Sequence, residues 1–573
     1  MKKMIADMTG AIGLLLQKLL SYVTIDPAKA SGENFGVYKA EDDSSRYFVK
    51  YLSGSETRVN SLRSNEFESW LCINYNGDDF NHQKYGDIIY NLEKFAGECK
   101  SEISGYSVFS RMGYADKKVY VCLHNDKHEV VVIGADGWKI IKEQDAISSK
   151  VLFESSSDMK FLPKPLKLKQ SVDGGLNKLR KFVNVSDEDF SLVIGWLLAA
   201  LMPKLTMDCP VLWLNAQKGT GKTTATKFLK RLIDPDIGGT ISPVDNVRDF
   251  AAAASSRTVV AIDNVSKISH KMSDVICRAI TGGTLSIRKM YTDSRVNNVN
   301  LHCRIIMNGI NFVPERADLV DRCFQVNLLP LNHKKRKTNE ELESDFQKEA
   351  PYILGALFDA VSAGLKNEQY VPELDFDVRM KDACQFILRV AHTGLLPFSE
   401  NDFCEVLRKK KRKAEAAYKS KLYENTAMNL LIEMAQEKFK VAPTSDEVLV
   451  WDDSTGNLLK KLSDRALSIQ KKSGATGILK DIPSTPQKLS KLLKSNNELL
   501  NDEGIYVSIG DRKTSCRITK IIYRPSDEDR SLESNPEFSK DADVQDSSST
   551  SKATSPEDTS KPEAVEKLDT VKK

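Results

Sequence analysis

From about residue 34 to residue 141 apolar and polar positions alternate in short, aromatic-rich runs, such as Val119 to Leu123 (VYVCL) and Glu129 to Ile133 (EVVVI), divided by Asn-Asp and Asp-Gly turns. A period of two broken by turn-forming pairs predicts half-buried strands, so residues 1–160 read as a β-rich accessory region. Residues Phe161 to Asp173 set Pro163 and Pro165 among Lys and Leu, which suits a stiff connector. From Gly174 to about Pro330 strand and helix patterns alternate, as an α/β domain requires, and this places the core in 161–335. Within it Ser191 to Met202 is an apolar run of about twelve residues, bounded by Asp187, Glu188, Asp189 and Pro203, too short to cross a bilayer and therefore a buried helix. A helical region at 336–440 holds the basic hexad Arg408 to Lys413. Residues 441–524 contain a helix-like stretch (Thr485 to Leu493), a turn at Gly504 and strand-like runs at Ile505 to Ile509 and Arg517 to Ile522, around Gly510-Asp511-Arg512-Lys513. That order reads as a winged-helix-like end. Residues 525–573 are Ser, Thr, Asp, Glu, Lys and Pro with almost no aromatics, a tail that cannot bury enough surface to order itself.

Composition agrees with this partition. A chain of 573 residues with 41% hydrophobic and 28% charged positions is long enough for three or four cores and excludes collagen, rods and wholly disordered chains. The formal net charge is +4, but the last 49 residues carry 13 acids and 7 bases, so the rest of the chain is at +10. That surplus permits a nucleic-acid partner. Ten cysteines without a C-x-x-C pair offer neither a zinc ribbon nor a disulfide framework, and a reducing cytoplasm is the simpler home. Lys2, Lys3 and the run Ala11 to Leu20 faintly suggest a signal peptide. Asp7, Gln17 and Lys18 interrupt it, so an amphipathic helix is expected and no membrane partner.

The strongest chemical signal is Asn215 to Thr224 (NAQKGTGKTT), preceded by the apolar run Val211 to Leu214 and followed by a helical pattern to Ile233. A strand, a glycine-rich turn and a helix in that order aim backbone N–H groups and a helix N-terminus at one point, where a polyphosphate sits. Ala216, Gln217, Lys218, Gly219, Thr220, Gly221, Lys222, Thr223 and Thr224 form the expected nucleotide cradle. Lys222 would reach the β- and γ-phosphates of ATP and the Thr223 hydroxyl would ligate Mg²⁺. Ala216 stands where glycine is usual, a departure because alanine tolerates positive φ less readily.

Turnover needs an acid on a neighbouring strand. Thr258 to Ile262 (TVVAI) is a buried-strand pattern ending in Asp263-Asn264. Asp263 would complete the metal site with Thr223, while Asn264 stands where a second acid usually polarises water, and an amide orients water but is a poor base. A capping Asp at a strand end is the plainer alternative. Arg304 to Met307 is a third strand ending in Asn308, either a γ-phosphate sensor or a turn former, and Arg322 follows in Asp318-Leu-Val-Asp321-Arg322. That arginine either pairs with a local carboxylate or acts as a finger into a neighbouring subunit. His124 and His128 bracket a polar turn without a third ligand nearby, and no metal role is expected of them.

Together Lys222, Asp263-Asn264, Asn308 and Arg322 resemble the core of a superfamily 3 helicase, a branch of the AAA+ ATPases. Supporting pieces are CRAITGG (Cys277 to Gly283), RKMYTD (Arg288 to Asp293), NGI (Asn308 to Ile310) and DLVDR (Asp318 to Arg322), which look like replication ATPases of phages, plasmids and integrated elements. The resemblance implies an α/β fold with a P-loop AAA+ type core. It also implies a homo-oligomeric ring, expected to be a hexamer, in which a hairpin carries Arg288, Lys289 and Tyr291 to single-stranded DNA. Two cations and an aromatic can track phosphates and stack on a base, although a solvated hairpin remains the alternative. Relatives often add a primase module, but no hhhDhD pair with a downstream Ser-x-His is evident here. The resulting expectation is an ATP- and Mg²⁺-dependent DNA helicase or translocase for replication of a phage, plasmid or integrated element. Against it stand a DNA-binding initiator that uses ATP as an assembly switch, with duplex origin DNA as partner, and an ATPase acting on protein. Lys488, Lys491, Arg512, Lys513 and Gln487 face either a duplex or a protein partner, and the hexad either DNA or solvent.

Overall fold

Two compact units divide the chain, residues 1–416 and 417–573. The computed structural model describes residues 36–39, 47–53, 56–74, 80–98, 107–167, 172–202, 208–288, 296–310, 316–331, 337–443, 445–473, 478–510 and 518–525. The N-terminal helix expected at Ala11 to Leu20 and the tail beyond Pro525 lie outside the described residues, as do Lys289, Tyr291, Arg512 and Lys513.

The first unit opens with an antiparallel sheet, β1 (Gly36–Lys39), β2 (Tyr47–Ser53) and β3 (Glu56–Ser61). Two helices follow, α1 (Asn65–Asn74) and α2 (His82–Glu98), within the region expected to be mostly β. Their apolar residues explain the difference. Phe67, Trp70 and Leu71, then Tyr85, Ile88, Ile89 and Leu92, recur every three to four positions and pack on Val37, Val49 and Tyr51, which is the helical period.

Next come β4 (Ser107–Phe109), β5 (Met112–Ala115), β6 (Lys118–Cys122), β7 (Glu129–Gly134), β8 (Gly137–Lys142) and β9 (Val151–Phe153). Strands β5 to β8 form an antiparallel meander, and β4 pairs with β9 in parallel. Both faces of the meander are covered, so its strands read as nearly continuous apolar runs. Val119, Val121, Val131 and Ile133 join the main core, whereas Tyr120, Cys122, Val130 and Val132 pack with Phe109, Val151 and Phe153.

The α/β part follows the sequence pattern closely. Helix α3 (Asp187–Ala200) is capped by Ser186, whose side chain accepts from the Asp189 N–H, and it is buried from Asp189 onward. Strand β10 (Val211–Asn215) leads into α4 (Lys222–Ile233), and α5 (Val247–Ser256) into β11 (Val259–Val265). Helix α6 (His270–Ile280) is followed by the hairpin β12 (Thr284–Arg288) and β13 (Val296–Asn300), then β14 (Arg304–Gly309) and β15 (Cys323–Asn327). The sheet order is β11-β14-β10-β15 and every pairing is parallel. Helices α7 (Asn339–Lys366), α8 (Lys381–Ala391) and α9 (Glu400–Glu424) come next. The expected connector carries neither helix nor strand over 161–167, with the Leu162 N–H donating to the Leu123 carbonyl at 3.0 Å and that of Leu166 to the Pro351 carbonyl at 2.9 Å, and its last residues, Val172 and Asp173, begin a short helix. Gly355 permits this approach, because a Cβ there would meet the Leu166 carbonyl oxygen at 2.0 Å.

Residues 1–160 and 161–335 do not separate as independent bodies. Arg111 is fully buried, donating from Nε to Asp234 Oδ1 at 3.2 Å and from Nη2 to the carbonyls of Lys160 and Pro235 at 3.0 and 2.9 Å. Asp234, at the end of α4, in turn accepts the N–H groups of Thr258 and Val259 at 2.8 and 3.0 Å. Removing one partner of such a buried ion pair typically destabilises by about 3–5 kcal/mol, because the other charge is stranded.

In the second unit α10 (Thr426–Val441), β16 (Val448–Ser454), α11 (Thr455–Ser473), α12 (Pro486–Ser495), β17 (Ile505–Ile509) and β18 (Ile518–Tyr523) follow in order, and the antiparallel sheet runs β16-β18-β17. Leu431, Leu458, Leu462, Leu489, Leu493 and Ile521 share its core. The sequence reading places α12 and both later strands within two residues but does not foresee β16. Among the described residues no helix is long and apolar enough to cross a membrane.

His124, in the β6–β7 turn, gives this architecture a pH signature. Its Nε2 lies 2.8 Å from the Ser110 carbonyl, and burial, helped by the Arg111 charge, pushes its pKa down from 6.5 to about 4. The unfolded chain therefore binds the proton more readily, and the stability contributed above about pH 6.5 is lost as pH falls toward about 4. His124→Asn tolerates the left-handed backbone there (φ 46°) and removes the titration. The melting temperature of the unmodified protein minus that of this variant is expected to fall between pH 7 and 4 in thermal melts.

Candidate nucleotide site

Strand β10 ends at the top of the sheet and the chain turns sharply into α4. Gly219 and Gly221 make that turn with φ of 84° and 81°, values that disfavour any side chain. Ala216 is not among the positive-φ residues. It is buried, and its N–H donates to the Gly309 carbonyl at 3.1 Å, so alanine at this first position strains nothing. Gly221 caps α4 without any side-chain hydrogen bond, whereas Ser186, Asn246, Ser269 and Thr338 cap their helices with side-chain oxygens. The first-turn N–H groups of α4 thus face the loop with no side chain closing them off, the arrangement that favours an anion.

Two side chains of that first turn meet the acid-bearing strand. Thr223 Oγ1 donates to Asp263, 3.0 Å from each carboxylate oxygen, and Lys222 Nζ donates to Asn264 Oδ1 at 3.0 Å. The pairing register of β11 on β14 shifts between Ile262 and Val265, and Asn264 adopts φ 61°. Asparagine is among the few non-glycine residues at home in that region. The bulge turns consecutive side chains, Asp263 and Asn264, toward Thr223 and Lys222 on α4.

Asn308, expected as a γ-phosphate sensor or a turn former, is bonded at both ends of its amide. It is wholly buried on β14, where its Nδ2 donates to Thr226 Oγ1 at 2.9 Å and its Oδ1 accepts the Asn264 N–H at 3.0 Å. Thr226 Oγ1 also donates to the Lys222 carbonyl at 2.9 Å. Both ends of the amide are occupied by the strand and helix that carry the site, so Asn308 braces Asn264 and α4. Thr226 was missed by sequence reasoning, although its spacing four residues after Lys222 on one helical face is a legible signal.

Arg322 lies at the other edge of the sheet. Its carbonyl accepts the Val211 N–H at 2.9 Å, and Val211 pairs with Cys323 while Asn215 pairs with Asn327. The length of β10 therefore separates Arg322 from the phosphate loop, roughly 16 Å at about 3.3 Å per residue. Its side chain is ion-paired with Asp318 and donates to the Asp318 carbonyl at 3.2 Å. Burial alone would raise the Asp318 carboxyl, but the hydrogen bond and charge of Arg322 outweigh it and hold the group below the ordinary carboxylate range.

Beside the loop, Phe182, Leu328, Leu331 and Leu342 join Thr220, Gly221 and Thr224 around a cavity of about 380 Å³ with Lys181 and Lys337 in its lining. Asn184 and Asn339 also line it, and its size, with apolar and polar side chains in similar share, suits a nucleoside. Hairpin β12–β13 keeps Arg288 opposite Val296 in its last pair, and the tip that would bear Lys289 and Tyr291 lies outside the described residues. The basic hexad on α9 is largely neutralised within its own unit. Arg408 pairs with Asp375, Lys409 with Glu188 at 2.8 Å, Lys410 with Asp189, and Lys411 with Asp377 at 3.4 Å. Asp189 also accepts the Asn327 N–H at 2.7 Å, so Lys410 belongs to the packing behind β15.

A family model described as an actinomycete integrative conjugative element replication protein matches residues 175–397, less than half of the chain but all of the positions from Ala216 to Arg322. No curated protein matches the sequence. Among solved structures, the A form apo structure of the NrS-1 C-terminal region is 12% identical with a TM-score of 0.36, covering 89% of this chain and 99% of that one. The apo structure of NrS-1 C-terminal region 305–718 is 14% identical with a TM-score of 0.35, at 89% and 98% coverage.

Asn308→Ala is expected to leave the Thr226 hydroxyl and the Asn264 N–H without their partner and to lower stability by about 1–3 kcal/mol. Denaturant unfolding with and without bound nucleotide checks this. A brace also predicts weaker nucleotide affinity, and unchanged stability would contradict it.

Proposed function

We propose that the chain is a Mg²⁺-dependent ATPase that drives movement along DNA, a helicase or translocase serving replication of a mobile element. The observation carrying this reading is the convergence of Thr223 on Asp263 and of Lys222 on Asn264, residues 40 and 42 positions apart in sequence. Strand β14 between the loop strand and the acid strand supports an AAA+ type P-loop core, and the order of helices and strands in 417–573 supports a winged-helix end. The match to replication proteins over 175–397 supports the biological setting.

In this reading the loop amides and Lys222 hold the polyphosphate, and the base enters the cavity beside Phe182. The Thr223 hydroxyl and the Asp263 carboxylate are hard oxygen donors, which fits Mg²⁺, and that ion would offset charge on the β- and γ-phosphate oxygens. Asn264 orients the attacking water once phosphate draws Lys222 away from it. Arg322, distant from its own loop, completes the site of the next subunit in a ring. Arg288, Lys289 and Tyr291 grip single-stranded DNA.

Phosphate release and strand separation on forked DNA test this. Lys222→Ala is expected to abolish both. Arg322→Ala should bind nucleotide nearly normally yet lose turnover by about 10³- to 10⁵-fold. Normal hydrolysis by Arg322→Ala removes the shared-site mechanism, and normal hydrolysis by Lys222→Ala removes the whole reading.

One observation favours the alternative of an initiator that uses ATP as an assembly switch. Asn264 occupies the place of a second acid, and a carboxamide is a poor general base, so slow turnover would suit a switch. Combining Arg288→Ala with Lys289→Ala separates the two. A translocase is expected to lose DNA-stimulated hydrolysis and keep its basal rate, whereas a switch is expected to keep its duplex binding and show no stimulation to lose.

A further inference from the structure

We propose that α12 is a phosphate-tracking surface for double-stranded DNA, carried by Lys488, Lys491 and Lys494. This inference concerns a different surface from the nucleotide site and stands whether or not the chain hydrolyses ATP.

The helix has the sequence PQKLSKLLKS, with Thr485 as a side-chain cap and Pro486 in its first turn. Leu489, Ser490 and Leu493 are buried, and Gln487, Lys488, Lys491, Lys494 and Ser495 are exposed. Positions i, i+1, i+4, i+7 and i+8 lie on one face. The helix contains no acid, and no described carboxylate forms an ion pair with any of the three lysines. Among the described residues, Lys488 alone of the three has a side-chain partner, Ser484 Oγ at 2.9 Å. The basic run on α9 is the reverse case, since four of its cations are paired with Asp or Glu. The longer basic run is consumed by its own fold, and the shorter one is left to the outside.

The chemistry of the face selects the partner. Protein interfaces are depleted in lysine and anchored by aromatic, Met and Arg side chains, none of which this face presents. A helix about 10–12 Å across fits a B-DNA major groove about 12 Å wide. The deep, narrow major groove of A-form RNA does not admit it. From Lys488 to Lys494 the helix rises about 9 Å at 1.5 Å per residue, enough to spread the charges over successive phosphates. Lysine is a point charge for phosphate and carries little base information, so this surface should bind duplexes with Gln487 as its one base-reading candidate.

Fluorescence anisotropy of the full chain on a duplex and on a single strand of equal length, titrated with salt, tests the proposal. Each phosphate contact contributes about 0.9 to the slope of log affinity against log salt on a duplex, so replacing Lys488, Lys491 and Lys494 by Ala should lower that slope by about 2.7. Single-strand binding and basal hydrolysis should stay unchanged, and the Lys488→Arg, Lys491→Arg, Lys494→Arg variant should restore the slope. Lys222→Ala should keep the full duplex slope, which separates this surface from the nucleotide site. An unchanged slope in the alanine variant overturns the proposal, as does an equal loss on both substrates. If the alanine variant melts early, Lys491→Glu alone decides: duplex affinity unaffected by it also overturns the assignment.

Discussion

One hydroxyl ties the site together. Thr223 Oγ1 sits 3.0 Å from both oxygens of Asp263, across a gap that the order of the sheet creates. The loop strand and the acid strand are not neighbours, since β14 lies between them, so helix α4 must lean over β14 for the contact to form. Asn308, buried in that intervening strand, holds both sides of the gap through Thr226 and the Asn264 backbone. A buried amide bonded at both ends is hard to replace, because Thr226 Oγ1 would lose its donor and the Asn264 N–H its acceptor.

Much of this arrangement was legible in the sequence. Strand, glycine turn and helix around Lys222 follow from local rules, and the buried strands ending near Asp263 and Asn308 follow from short apolar runs. The role of Asn308 was not legible, because a polar residue at a strand end looks the same whether it faces ligand or packs inward. Only the third dimension fills both ends of its amide. The two early helices were hidden for another reason. Aromatic and β-branched residues at 47–61 favour strands, and the helical spacing of Phe67, Trp70 and Leu71 is short enough to be lost among them. Arg322 was readable as an ion-paired or intersubunit residue, and its place at the opposite edge of the sheet needed the register of β10 on β15.

Charge shows the same limit. A run of six consecutive basic residues from Arg408 to Lys413 is the most conspicuous positive feature of the sequence, yet four of its cations meet carboxylates brought from residues far away along the chain. Runs of like charge announce themselves in a sequence, but their neutralisation does not, because it depends on which elements pack together. Three lysines spaced along α12 draw far less notice, although their separation by buried leucines is what keeps them on one exposed side.

The buried guanidinium of Arg111 fixes how such a gene can be rearranged. It reaches the end of the phosphate-loop helix and, through Asp234, the first residues of the acid strand. Recombination that exchanged the β-rich segment for another would leave the buried Asp234 carboxylate without its guanidinium partner and unsettle both the helix after the glycine turn and the strand that carries Asp263. The meander must therefore be inherited together with the α/β sheet it braces, and the upstream sheet is tied to the same body, since Phe48 and Val59 pack on Leu152 and the Ser155 N–H donates to the Val59 carbonyl.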